Sequence, residues 1–142
     1  MRNKRFVLDP NIIISYFISR QQNLLAKIVV TNKLEIVVCN ELFAEFKRVL
    51  AYQRLIKYNI NIKQAVLFLK TIGTNYLLLH PIKRYISGDE NDDYLIALAL
   101  QTSSGFITSG DNDILSEKVK LEKKYKKLKI ITKAEFESMF SV

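Results

Sequence analysis

The chain has 142 residues, 49% of them hydrophobic, with 7 Tyr, 8 Phe, only 4 Gly and 2 Pro. That is one domain, long enough to bury about 70% of the surface its unfolded form exposes, and it excludes a disordered or low-complexity protein. The single cysteine, Cys39, excludes an internal disulfide and a multi-cysteine zinc site, while the net charge of +8 favours a polyanionic partner, nucleic acid above all.

In chain order, Met1-Arg2-Asn3-Lys4-Arg5 lacks the long apolar stretch and cleavage site of a signal peptide and runs directly into Phe6-Val7-Leu8, a first strand ending at Asp9. Helices are expected over Asn11 to Ile18 and Asn23 to Val30. A β-branched strand follows over Glu35 to Cys39. Asn40 is placed to cap a helix from Glu41 to about Ala51, in which Leu42, Phe43, Phe46, Val49 and Leu50 form one apolar stripe. A further helix covers Ile62 to Ile72, stopped by Gly73, and Tyr76 to Leu79 reads as a strand ended by Pro81. Asp92 to Gln101 is a helix apolar on all sides from Tyr94 to Leu100, a run far too short to cross a bilayer. Phe106-Ile107-Thr108 is a strand followed by the turn Ser109-Gly110-Asp111. A last strand, Lys129 to Thr132, leads into a terminal helix near Ala134 to Phe140. Strands alternating with helices predict a parallel sheet covered on both faces, with ligands at the carboxyl ends of its strands. A cytoplasmic location is expected.

Four acids stand out against that plan. Asp9 closes the first strand, where a ligand-facing residue belongs, and Asp-Pro is equally a good helix start, with Asp as N-cap and Pro10 at the first helical position. Asp111 follows a later strand in a segment that turn chemistry alone explains. Asp92 and Asp93 open the apolar helix, where acids complement the positive end of its dipole. Asp93 also lies one turn before Ala97, on a face that is covered, and a buried carboxylate requires a metal or a basic partner. Glu45 falls about 40° beyond the edge of its helix's apolar stripe, a position that ordinarily belongs to a solvated flank. Oxygen-only acid clusters suit Mg²⁺ or Mn²⁺. Lys118, Lys120, Lys123, Lys124, Lys126, Lys127 and Lys129 crowd one stretch opposed only by Glu122. Such a run is ordinarily a solvated face, or here a grip on a phosphate backbone.

Val7-Leu8-Asp9-Pro10-Asn11 resembles the Leu-Asp-Thr-Asn opening of PIN domains, and Glu41-Leu42-Phe43-Ala44-Glu45-Phe46 is similar to that family's second-acid helix. Asp92-Asp93-Tyr94-Leu95-Ile96-Ala97-Leu98-Ala99 looks like its Asp-x-Leu-Ile-Ala-x-Ala helix. Thr108-Ser109-Gly110-Asp111-Asn112-Asp113 looks like its Thr/Ser-Gly-Asp-x-Asp segment. The resemblance spans nearly the whole chain. It implies a three-layer α/β/α sandwich with a five-stranded parallel sheet and Mg²⁺- or Mn²⁺-dependent RNA cleavage by Asp9, Glu45, Asp93 and Asp111, with Asp113 as an auxiliary ligand. Asn11, Ser109 and Asp92 would support those acids, and Lys123, Lys124, Lys126 and Lys127 would hold the RNA backbone. Members of this size are often VapC-like toxins that dimerise and are restrained by a small antitoxin. The closest look is to the PIN-family toxin branch, with the acidic run Gly88-Asp89-Glu90-Asn91-Asp92-Asp93. One departure is Pro10, which stands where the family carries Thr or Ser and offers neither a hydroxyl nor a backbone donor.

Rival chemistries fit less well. A haloacid-dehalogenase-like phosphatase needs a second Asp where Asn11 stands, and a receiver-like phosphoacceptor needs an early acid pair that is missing. The only histidine, His80, precedes Pro81 at a strand end and reads as structural. A PIN-like module that binds RNA or a partner without cutting is the alternative from a different class, and Pro10 is the feature that supports it.

Overall fold

The computed structural model of the chain describes residues 3–86 and 90–140. In chain order the elements are β1 (Arg5–Leu8), α1 (Pro10–Ile18), α2 (Gln22–Asn32), β2 (Glu35–Val38), α3 (Asn40–Leu50), α4 (Ile62–Ile72), β3 (Gly73–Asn75), α5 (Asp93–Gln101), β4 (Phe106–Thr108), α6 (Asn112–Leu115), α7 (Lys118–Lys124), β5 (Lys129–Ile131) and α8 (Lys133–Met139). Segments of 3-10 helix at Gln53–Tyr58 and Glu90–Asp92 precede α4 and α5.

The five strands form one sheet in the order β3-β2-β1-β4-β5, every pair parallel. Short apolar strands explain the arrangement. Phe6-Val7-Leu8 and Ile36-Val37-Val38 are buried throughout, as strands covered on both faces must be. The chain walks outward from β1 to β3, returns through α5 to β4, and steps on to β5. Right-handed crossovers then put α1–α4 on one face of the sheet and α5 and α7 on the other, the expected sandwich. On the first face α1 packs against α2 and α3, and α3 against α4. Phe6 stacks on Phe106 with ring centroids 4.6 Å apart and meets the edges of Phe136 and Phe140, so α8 closes the core beside β1 and β4. Phe6 and Phe136, fully buried, contribute about 1.5–3 kcal/mol each.

Where strand order reverses, β1 and β4 lie side by side with Leu8 opposite Thr108. The crevice at their carboxyl ends is where open parallel sheets bind ligands.

Three local expectations are corrected. The third strand is Gly73–Asn75, not Tyr76 to Leu79. Tyr76 N–H makes the last bond to the β2 carbonyl of Val38 (2.8 Å). Beyond it the Gln101 side-chain amide takes both backbone groups of Leu79 (2.8 and 3.1 Å), which draws the chain off the sheet. Asn40 does not cap α3. Cys39 occupies the cap position and Asn40 is the first helical residue. The lysine-rich stretch, read only as a charge run, contains the helix α7. Gly88 and Asp89 of the acidic run lie outside the described residues.

Candidate active site

Asp9 stands one residue past β1 and is 3% exposed. Its backbone N–H donates to Thr108 O (2.9 Å), one Oδ accepts the Asn11 N–H (3.1 Å), and the other accepts the Ser109 hydroxyl (2.9 Å). Asp9 is therefore both the N-cap of α1 and a carboxylate at the carboxyl end of the sheet. The two readings of this residue coexist because the cap uses only one of its oxygens. Burial pushes its pKa above the usual carboxylate range, the Asn11 and Ser109 donors pull it down, and the charge of Asp111 pushes it up again. Asn11 acts through its backbone, with an exposed side chain.

Ser109, fully buried, links two strand ends. Its Oγ donates to Asp9 and accepts the Asp111 N–H (3.0 Å). Asp111 caps the short helix α6 by accepting the Asp113 N–H at 2.8 Å, which brings the Asp113 side chain round to the same side. Carboxylate oxygens of Asp92, Asp111 and Asp113 lie within 4.8 Å of one another. Pro10, buried at the first position of α1, brings no hydroxyl, but Ser109 supplies one to Asp9 from the neighbouring strand.

The start of α5 sorts three consecutive side chains into three directions, as a rotation of about 100° per residue requires. Asp92, at the N-cap position and 7% exposed, joins Asp111 and Asp113. Asp93, 2% exposed, turns away from them. One of its oxygens accepts the N–H groups of Tyr85 (2.9 Å) and Ile86 (2.8 Å), and the other is ion-paired to Arg84 Nε at 2.9 Å. Asp93 is thus buried, as its spacing predicted, and Arg84 is a basic partner to it. Among the described residues, the acid that joins the cluster from the start of α5 is Asp92, to which the family resemblance assigns a supporting role. The helix begins one residue later than the apolar pattern suggests, after the 3-10 turn Glu90–Asp92, and that offset decides which of the two acids faces the crevice.

Tyr94 points a third way. It is 8% exposed, and its hydroxyl donates to Glu45 Oε2 on α3 at 3.1 Å. Burial first, then the charges of Glu45 and Asp9, push its ionisation far above the ordinary tyrosine range. Sequence reading had absorbed Tyr94 into the apolar helix. Only its hydroxyl, a polar tip that needs a partner when buried, signalled otherwise.

Lys123, Lys124, Lys126 and Lys127 are exposed on and just after α7. Lys126 and Lys127 flank a cavity shared with Asn3, Ser103 and Ser104, residues that precede β1 and β4. They therefore sit at the amino end of the sheet, opposite the acids. Lys118 and Lys129 hold Glu122 (3.4 and 3.9 Å), so part of the basic run secures α7 to β5. His80 pairs with Glu41 at 2.6 Å on the surface, a structural contact. Among the described residues no helix is long and apolar enough to cross a membrane.

Comparison with known proteins agrees with this fold. The fold is similar to that of a chain in the crystal structure of VapBC2 from Rickettsia felis bound to a DNA fragment from their promoter. The TM-score is 0.55 at 10% sequence identity, covering 90% of this chain and 98% of that one. No curated protein matches the sequence. A family profile described as PIN domain matches residues 5–113, a span that runs from β1 through the last of the clustered acids, and the chain belongs to the PIN-domain family.

Proposed function

We propose that this chain is a Mg²⁺- or Mn²⁺-dependent ribonuclease, the toxin of a type II toxin–antitoxin pair restrained by a small antitoxin protein. PIN domains are generally nucleases. The observation that carries the reading is the set of three carboxylates, Asp92, Asp111 and Asp113, converging within 4.8 Å in a chain of net charge +8. Like charges so close repel one another unless a cation joins them, and an all-oxygen donor set suits a hard divalent ion. Asp92, Asp111 and Asp113 would hold the cation, with Asp9 and Glu45 flanking it and Ser109 fixing Asp9. In this assignment Asp92 takes the ligand role and Asp93 fixes the segment 84–86. When bound, a cation of this kind lowers the pKa of a coordinated water and neutralises charge on a phosphate. The exposed lysines after α7, lying at the far end of the sheet, would hold RNA backbone remote from the scissile bond.

The alternative, a module that binds RNA or a partner without cutting it, rests on Pro10. Asp9 nonetheless keeps one hydroxyl partner, Ser109, and that contact favours the enzyme. Incubation of purified protein with a panel of structured RNAs tests the proposal. Cleavage in Mg²⁺ or Mn²⁺ that stops in EDTA is expected. Cleavage that is equal in EDTA, or RNA binding that is metal-independent without cleavage, contradicts it.

A further inference from the structure

We infer that Tyr94 is a positioning residue of the acid site, whose hydroxyl holds the Glu45 carboxylate in the geometry required for cation binding. The inference rests on the metal-nuclease reading and adds a part to it. Glu45 projects from the middle of α3, on the opposite side of the sheet from α5. Its side chain has three torsions to fix, and flank glutamates ordinarily reach for solvent. Tyr94 crosses that gap. Its ring is locked among the buried residues of α5, and its O–H meets Glu45 Oε2 at 3.1 Å. A tyrosine here has a chemical advantage over a basic partner: it donates one hydrogen bond to a carboxylate without adding a positive charge that would compete with a cation.

The bland account is that a buried phenol needs an acceptor and Glu45 is simply the nearest one. The two accounts differ in coupling. If Tyr94 acts through Glu45, Tyr94→Phe and Glu45→Gln disable the same element, and their effects on metal affinity do not add.

Calorimetric titration of Mn²⁺ into wild-type protein, Tyr94→Phe, Glu45→Gln and the double variant decides between them. Tyr94→Phe is expected to weaken Mn²⁺ binding about tenfold in the wild-type background and by less than about twofold in the Glu45→Gln background. Unchanged affinity of Tyr94→Phe or of Glu45→Gln, or losses that multiply in the double variant, overturns the inference. A wild-type protein that takes up no Mn²⁺ overturns the metal reading itself, and the inference with it. A second measurement leaves Tyr94 in place. In metal-free wild-type protein its hydroxyl proton should give a slowly exchanging NMR signal, which Glu45→Gln shifts or abolishes. A signal indifferent to Glu45→Gln contradicts the contact even if Tyr94→Phe proves too unstable to study.

Discussion

At the scale of single residues, adjacent acids at the start of α5 have different surroundings. Asp92 meets Asp111 and Asp113, whereas Asp93 accepts two backbone N–H groups and pairs with Arg84. Asp92→Asn should therefore reduce RNA cleavage at least about 100-fold, the scale of losing one positioned charged group. Asp93→Asn keeps an oxygen for the Tyr85 and Ile86 donors and loses a pair that is exposed on its Arg84 side. Cleavage should fall less than about tenfold, with stability lowered by about 1 kcal/mol or less. The reverse order of the two effects in matched kinetic assays would return the ligand role to Asp93. Asp9 gives a pH dependence. Its pKa is raised in the folded state, so the native protein binds its proton more tightly than the unfolded chain does. Stability of the metal-free protein then falls as pH rises from the ordinary carboxylate value through the raised one, and the penalty persists above it. Asn at position 9 can still cap α1. Thermal melts in EDTA should accordingly show Asp9→Asn melting higher than wild type at pH 7, with the difference shrinking toward pH 3.5. A lower melting point at pH 7 would mean that the ionised carboxylate stabilises the fold.

Elements were legible in the sequence where hydrophobic period decides them and illegible where side-chain amides or helix offsets decide them. The strands at Phe6, Glu35 and Phe106, the α4 boundaries and the parallel sheet all follow from apolar runs bounded by polar residues. Tyr76 to Leu79 carries a stronger strand composition than Gly73–Asn75, yet Gln101, distant in sequence, captures the backbone of Leu79. The same limit applies at the site. Asp9, Asp111 and Asp113 are readable because they follow strands, whereas the choice between Asp92 and Asp93 depends on where α5 begins, and the Tyr94–Glu45 contact joins two helices that the sequence does not pair. Gly73 shows how tightly the edge of the sheet is assembled, since α4 passes into β3 there with no intervening loop. A Cβ on Gly73 would lie 2.8 Å from the backbone oxygen of Leu69 and 3.1 Å from both methyls of Val38. Gly73→Ala should cost about 1–3 kcal/mol in urea unfolding, as overpacking does. An unchanged midpoint would show that the α4–β3 junction can shift freely.

For the whole molecule, the parallel sheet places acids and exposed lysines at its two opposite ends. Its carboxyl end, where strand order reverses between β1 and β4, gathers Asp9, Asp92, Asp111 and Asp113, and Glu45 reaches the same end through Tyr94. Its amino end carries Lys126 and Lys127. An acidic pocket inside a basic protein suits a polyanion that is attracted over a wide surface and processed at one point. The central claim is that the convergent acids are a cation site, and the most direct test is anomalous scattering from crystals grown or soaked in MnCl₂. The account predicts a manganese peak within bonding distance of Asp92, Asp111 and Asp113, with the Asp93 carboxylate still on Arg84. A peak bound by Asp93 instead, or no peak at this cluster in crystals with manganese bound elsewhere, would contradict it.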